Sequence, residues 1–507
     1  LLIGTDIGTQ GTKTLIVDLQ GQEVASSFQE YGILQPRPLW AEQWPDIWLE
    51  AVCATVREAL QKAQIDPAHV LGWAISGLYG GSGIPLDRDL KPLRPCIIWM
   101  DRRATEEVEW VKAHIDLDKL FTITGNFVDA YYGFTKMLWI KNKEPEIWQR
   151  IHKFVPPNSY VIFRLTGELA IDLSSAGNIG GIFDLHKRRW SEELLQELGI
   201  PLAMMPERLV ASAEVVGQLT REGAKRTGLL EGTPIVAGGI DAAVATLSAG
   251  AFDEGDHVAM VGTSMCWGVI HEGESLSPWL VSMPYVAYPE QKVYSWGGAA
   301  TAGAVVRWYR DQFGQLEVEA GGRLGLDPFT LLDLEAERVP PGAEGLLVLP
   351  HFMGERAPLW DPEARGALLG LTLYHTRAHL FRALLEGVAY ALRHSMEVGR
   401  ELGLRLKETC VLVGGAAKSK LWKQIFADVT GYAMRTIQGG GEAALGDAFL
   451  AGVAVGLIPD YRDIKGWLRW EGSVHPNDER RALYDQGFQD YLQAYRNLKG
   501  TMQNLTP

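Results

Sequence analysis

The sequence predicts an α/β protein of two large domains, and three observations carry that reading. The chain has 507 residues, more than one ordinary hydrophobic core organises. Short apolar strands alternate with helical stretches along its length. A strand, a tight turn rich in Gly and Thr, and a second strand occur once in each half. They are Leu2-Ile3-Gly4-Thr5-Asp6-Ile7-Gly8-Thr9-Gln10-Gly11-Thr12-Lys13 and Val258-Ala259-Met260-Val261-Gly262-Thr263-Ser264-Met265-Cys266-Trp267-Gly268. Such turns bring successive backbone N–H groups close to a phosphate, and a Thr or Ser hydroxyl adds a donor. Two of them suggest a duplicated fold that grips a nucleotide polyphosphate.

After the first turn, Thr14–Val17 reads as a strand closed by Gln20-Gly21, and Trp44–Lys62 has helical periodicity. Val70–Ser76 is a strand that runs into Gly77-Leu78-Tyr79-Gly80-Gly81-Ser82-Gly83. Ile97-Ile98-Trp99 reads as a further strand, closed by Met100-Asp101-Arg102-Arg103. Gly232–Asp241 is a strand entering a polar turn, and Ala242–Ala249 continues as a small-residue helix. The domain boundary is expected near residues 245–255, where Gly250 and Gly255 lie. That gives a first domain over 1–247 and a second over 248–475. Val411-Leu412-Val413-Gly414-Gly415-Ala416-Ala417-Lys418-Ser419 repeats the strand-then-glycine plan of Trp73–Gly77. Residues 476–507 form a helical tail, with Asp478–Leu498 long and polar.

Hydrophobic content of 47% and charged content of 22% fit a globular protein. A net charge of −14 leaves no basic footprint for nucleic acid. Cys53, Cys96, Cys266 and Cys410 are widely spaced, which suggests neither a zinc site nor a disulfide framework and fits a reducing compartment. There is no basic leader before Leu1–Gly4 and no uncharged apolar run of about 18 residues. A cytoplasmic protein without membrane spans is therefore expected.

Asp6 follows an apolar strand at the mouth of the first turn. It reads either as a turn cap or as a carboxylate for Mg²⁺. Asp241 reads either as the N-cap of the helix beginning at Ala242 or as a base that takes a proton from an attacking hydroxyl. Gly439-Gly440-Gly441-Glu442-Ala443-Ala444 matches GxGxxA at a helix start, as a dinucleotide site or as a flat seat for a base or ribose. His375 and His379 share a helical spacing without the Glu of HExxH. Trp40, Trp44 and Trp48 read as a packing stripe.

These residues resemble those of the FGGY carbohydrate kinases. The Asp6 turn, Gly-Gly-Ile-Asp241, Gly262-Thr263-Ser264 and Gly414-Gly415-Ala416 occur in that family's order. Gly366–Leu371 continuing to His379–Glu386, Lys136-Met137-Leu138-Trp139, Pro38–Gln43 and Gly354-Glu355-Arg356-Ala357-Pro358 are also similar to family segments. The resemblance implies two actin-like (ribonuclease H-like) ATPase domains flanking a catalytic cleft. It also implies transfer of the ATP γ-phosphoryl group to a sugar hydroxyl. By that resemblance Asp241 is the catalytic base, and Asp6 with Asp241 serves Mg²⁺. Thr9, Gln10, Lys13, Gly262, Thr263, Gly414, Gly415 and Ala416 serve ATP. Leu78, Tyr79, Trp99, Asp101, Tyr131 and Asp241 serve the sugar. D-xylulose is the first substrate expected, with ribulose or a polyol of the glycerol or erythritol type behind it. A non-catalytic actin-like sugar sensor is the alternative of another class. The only other partner left open is a second copy in a homodimer. Two departures concern the sugar. Leu78-Tyr79-Gly80-Gly81 stands where xylulose-phosphorylating members carry Gln-Met-His-Gly, and Ala242 stands where they carry Asn.

Overall fold

The strand Leu2–Ile7 organises the first half of the chain. It is buried on both faces, as strands of sheets covered by helices on both sides are. It pairs antiparallel with Gly11–Val17 (Leu2 opposite Val17) and parallel with Gly72–Gly77 (Leu2 opposite Gly72). The computed structural model describes residues 1–438 and 441–505. The complete sheet runs Val215–Gln218, Pro234–Val236, Gly72–Gly77, Leu2–Ile7, Gly11–Val17, Glu23–Glu30.

Side chains of successive strand residues point to opposite faces, and a helix covers each face here. Ile3 and Ile7 share a core with Trp48, Leu49, Val52 and Val56 of the helix Pro45–Lys62. Gly4, on the other face, meets the helix Ala443–Ala454 so closely that a Cβ there would lie 1.8 Å from the Ala444 carbonyl oxygen. Only glycine fits that approach.

The second half repeats the plan. Met265–His271 pairs antiparallel with His257–Val261, which pairs parallel with Thr409–Val413. That strand pairs parallel with Ala433–Gln438, which pairs antiparallel with Arg469–Val474. The first sheet shows the same succession of antiparallel, parallel, parallel and antiparallel pairs from Gly11–Val17 to Val215–Gln218. The duplication expected from the two turns is therefore present in the strand topology.

The chain divides into two compact units. One is Leu1–Glu254, Ile270–Ser295 and Gly439–Leu468; the other is Gly255–Val269, Trp296–Gln438 and Arg469–Pro507. Two later segments thus belong with the first unit, as the Gly4–Ala444 approach requires. The C-terminal helix Arg481–Asn504 belongs to the second unit, burying Tyr484, Phe488, Tyr491 and Tyr495. Among the described residues, no helix is long and apolar enough to cross a membrane.

Several local expectations are corrected. The strand expected over Ile97–Trp99 spans only Cys96–Ile97, because the chain turns where Asp101 N–H donates to the Ile98 carbonyl. The Trp40, Trp44, Trp48 stripe does not form, because the helix starts at Pro45. Trp48 is buried, Trp44 is exposed, and Trp40 packs edge-on to Trp139 under the Arg103 guanidinium. His375 precedes the helix Arg377–Glu401, so it shares no helical face with His379. His379 instead closes a capping box with Thr376 and contacts Glu344. Gly439 and Gly440 of the GxGxxA stretch lie outside the described residues, and the helix there begins at Ala443.

Candidate active site

The first turn is held from three sides. Gly8 N–H donates to the Gly11 carbonyl at 2.9 Å. The Tyr31 hydroxyl donates to the Gly8 carbonyl at 2.7 Å, and Gln43 donates to the Thr9 carbonyl at 2.9 Å. With its carbonyls engaged and Gln10 exposed, the turn presents hydroxyl and amide donors outward. Lys13 pairs with Glu442, which precedes the helix Ala443–Ala454.

Asp6 ends the central strand of this unit and accepts from the Ser76 hydroxyl at 3.3 Å. Burial and then the charge of Asp241 push its pKa up to about 7. A carboxylate raised by a neighbouring carboxylate in this way suits a hard divalent cation, which prefers oxygen ligands and relieves the repulsion. Asp241 is the first residue of the helix Asp241–Ser248. The N-cap position is Ile240, and the Asp241 Oδ1 accepts from Ala242 N–H in the first turn at 2.6 Å. The N-cap position weighed for Asp241 thus falls to Ile240, while the Asp241 carboxylate itself accepts one first-turn N–H.

The turn that carries Asp241 rests on a buried polar platform. Ile240 N–H donates to the Ser174 hydroxyl at 3.1 Å, and Ser174 donates to Asp172 at 2.5 Å. Asn158 bridges Asp172 and the Ala237 carbonyl, at 3.1 and 3.3 Å. Gly77 N–H donates to the Gly239 carbonyl at 3.0 Å, which ties the turn to the strand beside Asp6. Sequence reasoning missed Tyr31, Ser76, Asn158, Asp172 and Ser174. Gln43 had a signal, because it lies inside the Pro38–Gln43 segment.

The remaining expected sugar residues take four different placements. Tyr79 and Tyr131 pack with ring centres 4.9 Å apart, and the Tyr79 hydroxyl accepts from Gly133 N–H. Trp99 donates its indole N–H to the Thr9 hydroxyl at 3.0 Å. Leu78 is buried, with its N–H donating to the Ile7 carbonyl at 2.7 Å. Asp101 differs from expectation. It is 0% exposed, and its two oxygens accept from Ala41 N–H, Arg103 N–H and the Arg103 guanidinium at 2.6–3.0 Å. Those bonds fill a carboxylate's acceptor capacity. Asp101 is thus a partner that locks Arg103, not an open acceptor for sugar hydroxyls.

The second unit holds a cavity of about 440 Å³. Gly262, Thr263, Gly415 and Ala416, far apart in sequence, all line it. The Gly262 and Thr263 carbonyls are taken by the N–H groups of Gly303, Ala302 and Ala304 at the start of the helix Gly303–Phe313. Gly414 backs the cavity. Its φ of +91° and a would-be Cβ contact of 2.6 Å with the Val261 carbonyl oxygen exclude other residues. Among the described residues no group of three or more His, Cys, Asp or Glu could hold a metal ion. The Asp6–Asp241 pair would therefore leave positions for phosphate and water, as Mg²⁺ commonly does.

The twice-used sheet with a glycine turn at each central strand is the ribonuclease H-like, actin-like class of fold. Residues 1–248 match the N-terminal domain, and residues 257–455 the C-terminal domain, of the FGGY family of carbohydrate kinases. The chain belongs to that family, and is an ATP-dependent sugar phosphotransferase. It is 31% identical to a xylulose kinase of Escherichia coli over 499 residues, 98% of this chain and 99% of that enzyme. It is 30% identical to a gluconokinase of Bacillus subtilis over 505 residues, 100% of this chain and 95% of that enzyme. The crystal structure of ligand-bound xylulose kinase from Lactobacillus acidophilus superposes with a TM-score of 0.90 at 27% identity, covering 99% of each chain.

Proposed function

We propose that this protein transfers the γ-phosphoryl group of ATP to a hydroxyl of a ketopentose, with D-xylulose first. The observation that carries the reading is Asp241. It opens a helix, with Oδ1 on the Ala242 N–H at 2.6 Å, on a platform built by Ser174, Asp172 and Asn158, beside a second carboxylate, Asp6. The Asp241 carboxylate takes the proton of the sugar hydroxyl while that oxygen bonds to the γ-phosphorus. The bond from phosphorus to the β-bridging oxygen breaks, and its electron pair leaves with ADP. The turn at Thr9, Gln10 and Lys13 and the cavity at Gly262, Thr263, Gly415 and Ala416 bind the nucleotide, with Gly414 supporting the cavity wall. Asp6 and Asp241 would hold Mg²⁺, which supplies charge neutralisation of the phosphates.

Gluconate is the second reading, favoured by the gluconokinase relative. It brings a carboxylate that needs a cation. Arg102 is paired with Asp129, Arg103 with Asp101 and Glu42, and the buried Lys136 ammonium donates to the Ala130 and Tyr131 carbonyls. Engagement of these cations beside the aromatic pair supports a neutral sugar. The test is ATP-dependent phosphorylation across D-xylulose, D-ribulose, glycerol, erythritol and D-gluconate. The highest kcat/KM should fall on D-xylulose, and a higher value for gluconate would overturn the preference.

A further inference from the structure

We propose that Asp333 selects the base of the nucleotide donor by accepting a hydrogen bond from its exocyclic amino group. The inference rests on the kinase reading above and adds the residue that chooses the nucleotide. The second unit's cavity has two chemically different sets of lining residues. In one, Gly262, Thr263, Gly415 and Ala416 bring backbone close to the space. In the other, the helix Pro328–Glu337 contributes Phe329, Thr330 and Asp333, positions that share one helical face.

Asp333 and Ser419 both line the cavity. The Ser419 hydroxyl accepts from Trp422 N–H at 2.9 Å, which leaves its own proton for the Asp333 carboxylate. Burial, together with Asp327 and Glu337, pushes the Asp333 pKa up to about 6, so at neutral pH the group is chiefly an anion and an acceptor. With no cation between them an anion repels a polyphosphate, so Asp333 suits the base end of the nucleotide better than its phosphates. It suits a part of the ligand that offers N–H donors and an apolar face. The 6-amino group of adenine is such a donor, and Phe329 and Trp422 line the same cavity and supply ring-sized apolar surface.

The experiment compares ATP, purine riboside triphosphate (which lacks the 6-amino group) and 2′-deoxy-ATP. The full-length wild type, Asp333→Ala and Asp333→Asn are used. Nucleotide binding is measured by calorimetry without sugar, and phosphoryl transfer with sugar, after circular dichroism shows native folding. The wild type should prefer ATP over the deamino analogue by about 10–100-fold, the worth of one hydrogen bond to a charged group. Asp333→Ala should erase that preference by weakening ATP alone, and Asp333→Asn, which keeps a carbonyl acceptor, should retain part of it. Equal losses for ATP and the deamino analogue would overturn the assignment. So would a loss of discrimination against 2′-deoxy-ATP, which would place Asp333 at the ribose. If the wild type bound no nucleotide, the kinase reading would fall as well. If it bound ATP and transferred phosphate while both variants behaved as wild type, only the role of Asp333 would fall.

Discussion

The Trp99 indole N–H donates to the Thr9 hydroxyl at 3.0 Å, so a residue expected at the sugar holds a residue of the first phosphate turn. With its acceptor role filled by Trp99, the Thr9 hydroxyl keeps its own proton for an anionic ligand.

Trp99→Phe keeps the ring and removes that donor. Its KM should rise for ATP as well as for sugar, by about 2–10-fold each, the net worth of one neutral hydrogen bond. Steady-state kinetics with each substrate varied will show this. A change confined to the sugar would mean that the Trp99–Thr9 bond carries no coupling.

The second prediction concerns pH. Burial and the Asp241 charge raise Asp6 to about 7, so protons compete there with a divalent cation. The apparent KM for Mg²⁺-ATP should be level above about pH 7 and rise by about tenfold per pH unit below it. The KM for sugar should change far less. A level Mg²⁺-ATP profile from pH 8 to 5.5 would remove Asp6 from metal binding.

The third concerns Asp101. Arg103 has a side chain only 1% exposed and pairs with both Asp101 and Glu42. Asp101→Ala leaves half of that buried pairing unmade and should cost about 3 kcal/mol of stability. Chemical denaturation will measure it. An unchanged midpoint together with a loss of sugar binding would restore the direct role that the sequence suggested.

The fourth concerns Asp447, which is 0% exposed inside the helix Ala443–Ala454. Its Oδ2 accepts from Ser76 N–H at 3.1 Å, while its Oδ1 has no hydrogen-bond partner among the described residues. Burial raises its pKa well above the ordinary carboxylate value of 3.8. A carboxyl raised on folding contributes its full stability below the unfolded pKa and loses it as pH rises through the folded one. Asp447→Asn should therefore match the wild type in stability near pH 4 and gain on it progressively toward pH 8. Thermal unfolding across that range is the check; a constant gap would contradict the assignment.

How much of this was legible follows from where the information lies. The central strands were readable because they are apolar on both faces and end in glycine turns, and both signals are local. Asp6 stood out near the end of such a strand, and Asp241 stood out after the glycine turn that leads from Pro234–Val236 into a helix. The Ser174–Asp172–Asn158 platform was not, because it joins segments that meet only after the sheet forms. Asp101 was misread because its saturation depends on where the Arg103 guanidinium folds back. The tryptophan stripe failed on one residue, Pro45, whose place at a helix start outweighed the four-residue spacing. The C-terminal helix looked like a tail because its buried tyrosines read as polar punctuation until a partner surface is known.

The central claim is that Asp241 takes the proton from the attacking hydroxyl. The direct measurement is the turnover of Asp241→Asn with ATP and D-xylulose, with the affinity for each followed by calorimetry. The account predicts nucleotide and sugar binding close to wild type and a kcat lower by about 10²–10⁴-fold, the usual effect of removing a general base. Turnover near the wild-type rate, with binding intact, would contradict it.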